Sequence, residues 1–176
     1  MYENLSRPRL YEKEIKLYSG TSNPALSARI ANILGLKLQG LKLEKFSNGE
    51  IYARFEESVR GDEVFFIQSI VGKNINDMLM ETLVVADAAS RASAKSFTAV
   101  LPHYGYARQD RKAASREPIT ARLIANLLET AGVDRVIALD LHSGQIQGFF
   151  DVPVDHLYAS GVILPYLQSL RLKDLV

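Results

Sequence analysis

The chain has 176 residues, of which 47% are hydrophobic and 23% are charged, a composition typical of one soluble globular domain. Its formal net charge of +1 gives little support to nucleic-acid binding, and the absence of cysteine excludes disulfides and thiolate metal sites and fits a cytoplasmic protein. No apolar run reaches membrane-spanning length, and the polar first residues do not resemble a signal peptide.

The first part of the chain predicts an arm, a strand, a helix and a hairpin. Residues 1–14 are charged and aperiodic, which indicates an amino-terminal arm. A strand over Ile15–Ser19 leads to a helix that begins at Pro24, because proline is favoured in the first helical turn, and ends before Gly35. Two alternating runs then flank an Asn-Gly pair and predict a β-hairpin: Leu41–Phe46 and Ile51–Phe55.

The remainder alternates buried strands with amphipathic helices. Continuous apolar runs predict strands at 64–67, 97–101 and 136–139. Helical spacing predicts a helix that is capped by Asn76 or Asp77 and reaches Ala92, with a buried face of Leu79, Leu83, Ala86 and Ala89. A second helix is predicted from Pro118 to Gly132, with Leu123, Leu127 and Leu128 buried. A third is predicted over 160–170 and contains Pro165. This order indicates an α/β fold with a mostly parallel sheet flanked by helices.

A group of candidate metal ligands follows the last of these strands. Asp140 and His142 are two residues apart, so on a continuing strand they would point to the same side. Asp151 and Asp155 follow within a short stretch and could complete a set of oxygen and imidazole ligands for a divalent cation. Taken alone, an Asp-x-His pair is more often a polar strand end with solvated aspartates than a metal site.

The connection after residues 97–101 is unusually long and carries four cations within nine residues: Arg108, Arg111, Lys112 and Arg116. Guanidinium groups bind phosphate oxygens in a bidentate geometry, and long connections in compact domains are often functional. Arg111 and Lys112, taken singly, are better explained as solvated loop charges. His103 is better explained as a structural hydrogen-bonding residue, and His156 receives no role.

Cations and metal ligands at neighbouring strand ends are the equipment of phosphoryl or pyrophosphoryl transfer, where positioning and charge neutralisation supply most of the catalysis. Carboxylates favour Mg²⁺, and the histidine leaves Mn²⁺ possible. The sequence contains neither a Walker-type phosphate loop nor a dinucleotide-binding glycine motif.

Several longer motifs, in order and spacing, resemble ribose-phosphate pyrophosphokinase, the phosphoribosyl pyrophosphate synthetase. They are Phe46-Ser-Asn-Gly-Glu50, Glu57-Ser-Val-Arg-Gly61, Ile75-Asn-Asp-Met-Leu-Met-Glu81, Tyr106-Ala-Arg-Gln-Asp-Arg-Lys112, Ser115-Arg-Glu-Pro-Ile119 and Asp140-Leu-His-Ser-Gly-Gln-Ile-Gln-Gly-Phe-Phe-Asp151. The resemblance implies that residues 15–176 form the first of two phosphoribosyltransferase-like domains. It implies transfer of the diphosphoryl group of ATP to ribose 5-phosphate, with magnesium, to give phosphoribosyl pyrophosphate and AMP.

The resemblance also implies roles for individual residues. The ATP-binding candidates are Phe46, Asn48, Gly49 and Glu50, which would contact the adenine of ATP bound to a neighbouring subunit, together with Arg108, Gln109 and, less directly, Arg116. The metal-binding candidates are His142, Asp140, Asp151 and Asp155. A homohexamer built from dimers is usual in this family, so a homo-oligomer is expected.

The family chain is about twice as long, and its second half carries the ribose 5-phosphate loop and the catalytic lysine. No Asp-Asp pair or Thr-Gly run of that loop occurs here, so no catalytic residue is assigned and the isolated chain is expected to be inactive. The alternative is a non-catalytic regulatory or associated subunit of the synthetase, although the intact ATP and metal motifs argue against it. A metal-dependent phosphoesterase is a more distant alternative.

Overall fold

A computed structural model describes residues 14–172, which form a five-stranded parallel sheet and a separate antiparallel hairpin. The sheet order is β1-β4-β5-β6-β7, and the hairpin consists of β2 and β3. The strands are β1 Ile15–Ser19, β2 Leu41–Lys45, β3 Ile51–Phe55, β4 Glu63–Ile67, β5 Ser96–Leu101, β6 Arg135–Leu139 and β7 Val154–Leu157. The helices are α1 Pro24–Leu34, α2 Ile75–Arg91, α3 Thr120–Thr130 and α4 Ser160–Ser169, with a 3₁₀ segment at Gly144–Phe149.

The continuous apolar sequences of β4, β5 and β6 are explained by burial between two layers. The larger core includes side chains of α2 and α3 packed against these strands, with Phe66, Phe97 and Leu128 nearly or fully inaccessible. A smaller core joins Leu17 of β1 to Ala31 of α1. The predicted α/β class, with a mostly parallel sheet flanked by helices, is therefore confirmed.

The first helix and the hairpin agree closely with their predicted positions. Helix α1 starts at Pro24, its first turn is capped by the Asn23 side chain, and Gly35 closes it with a left-handed φ of 66°. Strands β2 and β3 pair in antiparallel register around the Asn48-Gly49 turn. The predicted arm over residues 1–14 lies outside the described residues except for Glu14, whose backbone N–H donates to Asp62.

The start of α2 differs from the prediction, because the two predicted capping side chains have other partners. The helix begins at Ile75 after Asn74, and no side chain caps it. The Asn76 amide oxygen accepts a hydrogen bond from the Tyr106 hydroxyl. Asp77 forms an ion pair with Lys45 at 2.7 Å, which ties α2 to the hairpin.

The predicted start of α3 is wrong, and of its three predicted buried leucines only Leu128 is buried. The helix begins at Thr120 rather than Pro118, and its buried residues are Ala121, Ile124, Ala125 and Leu128. Leu123 is 51% exposed and Leu127 is 38% exposed. The prediction placed these leucines inside because they are large and apolar, whereas the helix turns its two small alanines, Ala121 and Ala125, toward the core.

Helix α4 occupies the predicted segment and contains Pro165, but none of its residues is buried. Its exposed apolar side chains include Val162, Ile163, Leu164 and Tyr166. Within the described range 14–172, no helix combines the length and apolarity that a membrane crossing requires. Helix α4 therefore presents an apolar surface that the described part of the chain leaves uncovered.

Candidate active-site cleft

A cleft of about 560 Å³ lies beyond the carboxyl ends of β5 and β6. Open parallel sheets place their ligands at this edge, because the loops that leave neighbouring strands meet there. Its walls come from the loop after β4, the loop after β5 and the turn after β6. The lining residues are Val71, Ile75, His103, Tyr104, Tyr106, Ala107, Arg108, Gln109, Leu139, Asp140, Leu141 and His142.

The loop after β5 is held against the loop after β4 by close contacts. A Cβ at Gly105 would stand 2.5 Å from the Ile70 side chain, so only glycine permits this approach. The His103 ring nitrogen Nδ1 lies 3.0 Å from the Ile70 carbonyl oxygen, which confirms the structural role expected for His103. Tyr106 has a left-handed φ of 62°, a conformation that is uncommon for non-glycine residues and is often found at functional sites.

Arg108 and Gln109 lie where this loop approaches the amino terminus of α3. The Gln109 side-chain oxygen accepts a hydrogen bond from the Thr120 hydroxyl at 2.5 Å, and the Gln109 carbonyl accepts from the Ala121 N–H at 3.1 Å. Arg108 is exposed and forms no hydrogen bond or ion pair with any residue in the described range. The cleft thus contains a fixed amide beside a guanidinium that is available for an anion.

The rest of the cationic loop folds outward. The Glu117 carboxylate accepts hydrogen bonds from the Ala113 and Ala114 N–H groups, each at 2.8 Å, and thereby closes a short exposed loop over residues 113–117. Arg116 lies in this exposed loop, has a left-handed φ of 69°, and does not line the cleft. Arg116 therefore does not line the cleft with Arg108, and its phosphate contact stays a prediction.

Asp140 and His142 both line the cleft, although not by the predicted strand alternation. Strand β6 ends at Leu139, and Asp140 has a left-handed φ of 44°. The Asp140 N–H donates to the Leu157 carbonyl at 2.9 Å, and both carboxylate oxygens of Asp140 lie 3.3 Å from the Ala159 N–H. A sharp turn, rather than a continuing strand, directs these two residues to the cleft.

Asp110 connects the two loops electrostatically. The Ser143 hydroxyl is the largest influence that lowers the pKa of the Asp110 carboxyl, although the two groups do not meet hydrogen-bond geometry. His142 and Arg111 lower the same pKa through their charge. Sequence reasoning missed Asp110, because a single aspartate among four cations gives no signal of an electrostatic interaction with residues 142 and 143.

The structure separates Asp155 from the candidate metal site. Asp155 lies on β7, beside Ile137 of β6, and accepts hydrogen bonds from both Nε and an Nη of Arg135, at 2.6 and 2.9 Å. Arg135 is also the main cause of the lowered pKa of Asp155. The prediction missed β7, so it could not show that Asp155 has an arginine partner on the adjacent strand.

Asp151 is likewise directed elsewhere. Its side chain is 83% exposed and lies 3.9 Å from the guanidinium of Arg122. Between residues 14 and 172, no three histidine or carboxylate side chains are placed to hold one metal ion. The predicted four-residue ligand set is therefore not assembled, and the pair Asp140 and His142 remains as the candidate.

The hairpin candidates line a second cleft, of about 630 Å³, that does not share its lining with the first. Phe46, Asn48, Gly49 and Glu50 face the α2 residues Asn76, Asp77, Met80 and Val84 there. The Asn48 side chain accepts a hydrogen bond from the Glu50 N–H at 3.1 Å, and Phe46 is 49% exposed. Within one chain, the predicted ATP-binding residues other than Arg116 therefore fall into two separate clefts.

The fold and the cleft together define an α/β domain of the phosphoribosyltransferase-like class. A family model described as the N-terminal domain of ribose phosphate pyrophosphokinase matches residues 15–132, and the chain belongs to this family. The resemblance drawn from the sequence motifs is thereby confirmed.

Relatives of known name agree with this assignment. Ribose-phosphate pyrophosphokinases of Prochlorococcus marinus and Bacillus subtilis are both 52% identical, over 167 and 165 residues, and the matches cover 95% and 94% of this chain. A crystal structure of phosphoribosylpyrophosphate synthetase from Mycobacterium smegmatis superposes with a TM-score of 0.87 at 48% identity and covers 89% of this chain. The chain spans about half the length of these relatives, 50% and 52% of the two sequences and 52% of the solved chain.

Proposed function

We propose that this chain is the ATP-facing half of a ribose-phosphate diphosphokinase. The complete enzyme would transfer the diphosphoryl group of ATP to the 1-hydroxyl of ribose 5-phosphate and release AMP. The observation that supports this most directly is the single cleft shared by Arg108, Gln109, Asp140 and His142. The relatives' names supply the class of reaction.

The cleft residues suit a triphosphate. Arg108 is free to form a bidentate contact with phosphate oxygens, and such charge-assisted hydrogen bonds are stronger than neutral ones. The Gln109 amide oxygen is already bonded to Thr120, so its Nε2 group remains to donate to a ligand. Binding the triphosphate between these groups would restrict its orientation, which is the main contribution that phosphoryl transfer needs from the protein.

Asp140 and His142 fit a magnesium site that is completed by the substrate. Mg²⁺ is usually held by one or two protein carboxylates, with waters and phosphate oxygens in the remaining positions. One carboxylate and one imidazole in the same cleft match such a partial site, and the imidazole also suits Mn²⁺. When bound, the metal would neutralise part of the charge of the triphosphate.

The remaining parts of the enzyme would come from outside the described chain. Ribose 5-phosphate binding and the catalytic lysine would belong to a second half of the kind that the relatives possess. The second cleft, with Phe46, Asn48 and Glu50, would contact the adenine of ATP held by a neighbouring copy in a cytoplasmic homo-oligomer built from dimers, a hexamer when complete. The half-exposed Phe46 ring is available for such stacking.

A fusion experiment tests this division. The chain would be joined to the second half of the Bacillus subtilis relative, and AMP formation would be measured with Mg²⁺, ATP and ribose 5-phosphate. We expect AMP formation that requires ribose 5-phosphate in the fusion, none in the 176-residue chain, and none in a His142→Ala fusion. Turnover by the chain alone, or a folded and ATP-binding fusion without AMP formation, would refute the proposal; the second result would favour a regulatory subunit.

A further inference from the structure

His156 contacts the turn that carries the two candidate metal ligands. Its Nε2 atom lies 3.0 Å from the backbone nitrogen of Leu141, the residue between Asp140 and His142. An N–H group can only donate, so Nε2 accepts this hydrogen bond and the proton of the neutral ring resides on Nδ1. The Gln147 amide nitrogen, 3.3 Å from Nδ1, is also a donor, so it makes no hydrogen bond with the protonated Nδ1 and donates instead to the Gly144 carbonyl at 3.1 Å.

The neighbours of His156 hold the same turn from the same side. The Leu157 carbonyl accepts from the Asp140 N–H, and the Ala159 N–H donates to the Asp140 carboxylate. Residues 156–159 thus contact both Asp140 and Leu141. The Tyr158 ring packs on the His156 ring, with centroids 4.3 Å apart, and restricts the rotation of the imidazole.

The turn requires such support because its backbone is strained. Asp140 has a φ of 44°, and a non-glycine residue persists in the left-handed region only where its surroundings hold it there. The Leu141 N–H is part-buried, so without its acceptor the turn would lose a hydrogen bond as well.

We propose that His156 is a positioning residue: its Nε2 atom fixes the Leu141 amide and thereby holds Asp140 and His142 in the geometry that binds a magnesium-chelated triphosphate. His156 does not itself touch the ligand and does not line the cleft. The inference rests on the proposed function for the identity of the ligand, but the hydrogen bond is a property of the free chain.

Two substitutions separate the acceptor from the bulk of the ring. In His156→Gln the amide oxygen can reach the position of Nε2, whereas His156→Asn extends only to the position of Nδ1. We expect Asn to accelerate Leu141 amide hydrogen exchange and to weaken Mg·ATP binding to the 176-residue chain, each about 5- to 10-fold, and Gln to restore both to within about twofold. Both variants remove the same ring, so their unfolding temperatures should differ by no more than the loss of one hydrogen bond in His156→Asn explains.

The results separate this inference from the proposed function. Equal loss in both variants, or wild-type Leu141 exchange in His156→Asn, would overturn the positioning role. Failure of the wild-type chain to bind Mg·ATP would contradict the proposed ligand, and the Leu141 exchange rates of the two variants would still decide whether Nε2 fixes the turn.

Discussion

Replacing Asp155 and Asp140 separately by asparagine distinguishes a two-residue metal site from the four-residue set that the sequence suggests. Asp155 forms a bidentate pair with Arg135, and the two side chains are 38% and 49% exposed. A partly exposed pair of this kind contributes about 0–1 kcal/mol to the free energy of unfolding. Asp155→Asn should therefore lower stability by no more than that and leave Mg·ATP affinity within about twofold.

Asp140→Asn should behave differently, because this carboxylate lines the cleft. Loss of a charged ligand removes about 1.5–3 kcal/mol of binding free energy, which corresponds to at least about tenfold weaker Mg·ATP binding. Isothermal titration calorimetry of both variants at a fixed magnesium concentration measures the difference. Equal weakening of binding in the two variants would refute the two-residue site.

Two further predictions concern stability. The buried Tyr18 hydroxyl has no hydrogen-bond partner in the described range, so Tyr18→Phe should leave the free energy of unfolding unchanged or raise it by up to about 1 kcal/mol. Urea denaturation at pH 7 measures this, and a decrease of more than about 1 kcal/mol would contradict the explanation. Burial, and then the charges of Glu57 and Asp62, raise the pKa of Tyr18 to about 12, above its unfolded value of 10.0. The free energy of unfolding of the wild type should therefore fall as the pH rises from 10 to 12, and it should fall less in Tyr18→Phe. Leu128→Ala should lower the free energy of unfolding by about 2–5 kcal/mol, because Leu128 is fully buried. The matched substitution Leu164→Ala on α4 should change it by no more than about 0.5 kcal/mol. Equal losses in the two variants would show that α4 packs against the chain.

Local sequence signals predicted the elements whose causes are local. Pro24 and Gly35 delimit α1, and the Asn48-Gly49 pair forms the hairpin turn, because proline, glycine and asparagine restrict or permit particular backbone conformations. The apolar run of β5 predicted a strand buried on both faces. These features are determined by residues within a few positions of one another.

The errors arose where a distant partner decides the outcome. Asn76 could cap α2 but bonds to Tyr106, which is 30 positions away in sequence. Asp155 was grouped with Asp140 by nearness in sequence, yet β7 runs beside β6 and pairs Asp155 with Arg135. The spacing of residues in the sequence does not show which strands are adjacent, so only the three-dimensional structure could remove Asp155 from the predicted set of metal ligands.

The cleft was predicted in its principal residues because parallel strands bring their carboxyl ends to one edge. Arg108 and His142 lie in loops that follow the adjacent strands β5 and β6, and both line the same cavity. The role of His156 could not be found in this way, since its contact is with a backbone N–H that has no sequence signature.

A titration of the ¹⁵N-labelled chain with Mg·ATP, followed by amide chemical shifts, tests the central claim most directly. Joint binding of one ligand predicts that Arg108, Gln109, Asp140 and His142 shift together and saturate with one dissociation constant. Shifts confined to one of the two loops, or two loops that saturate at different concentrations, would contradict the claim that they form a single triphosphate site.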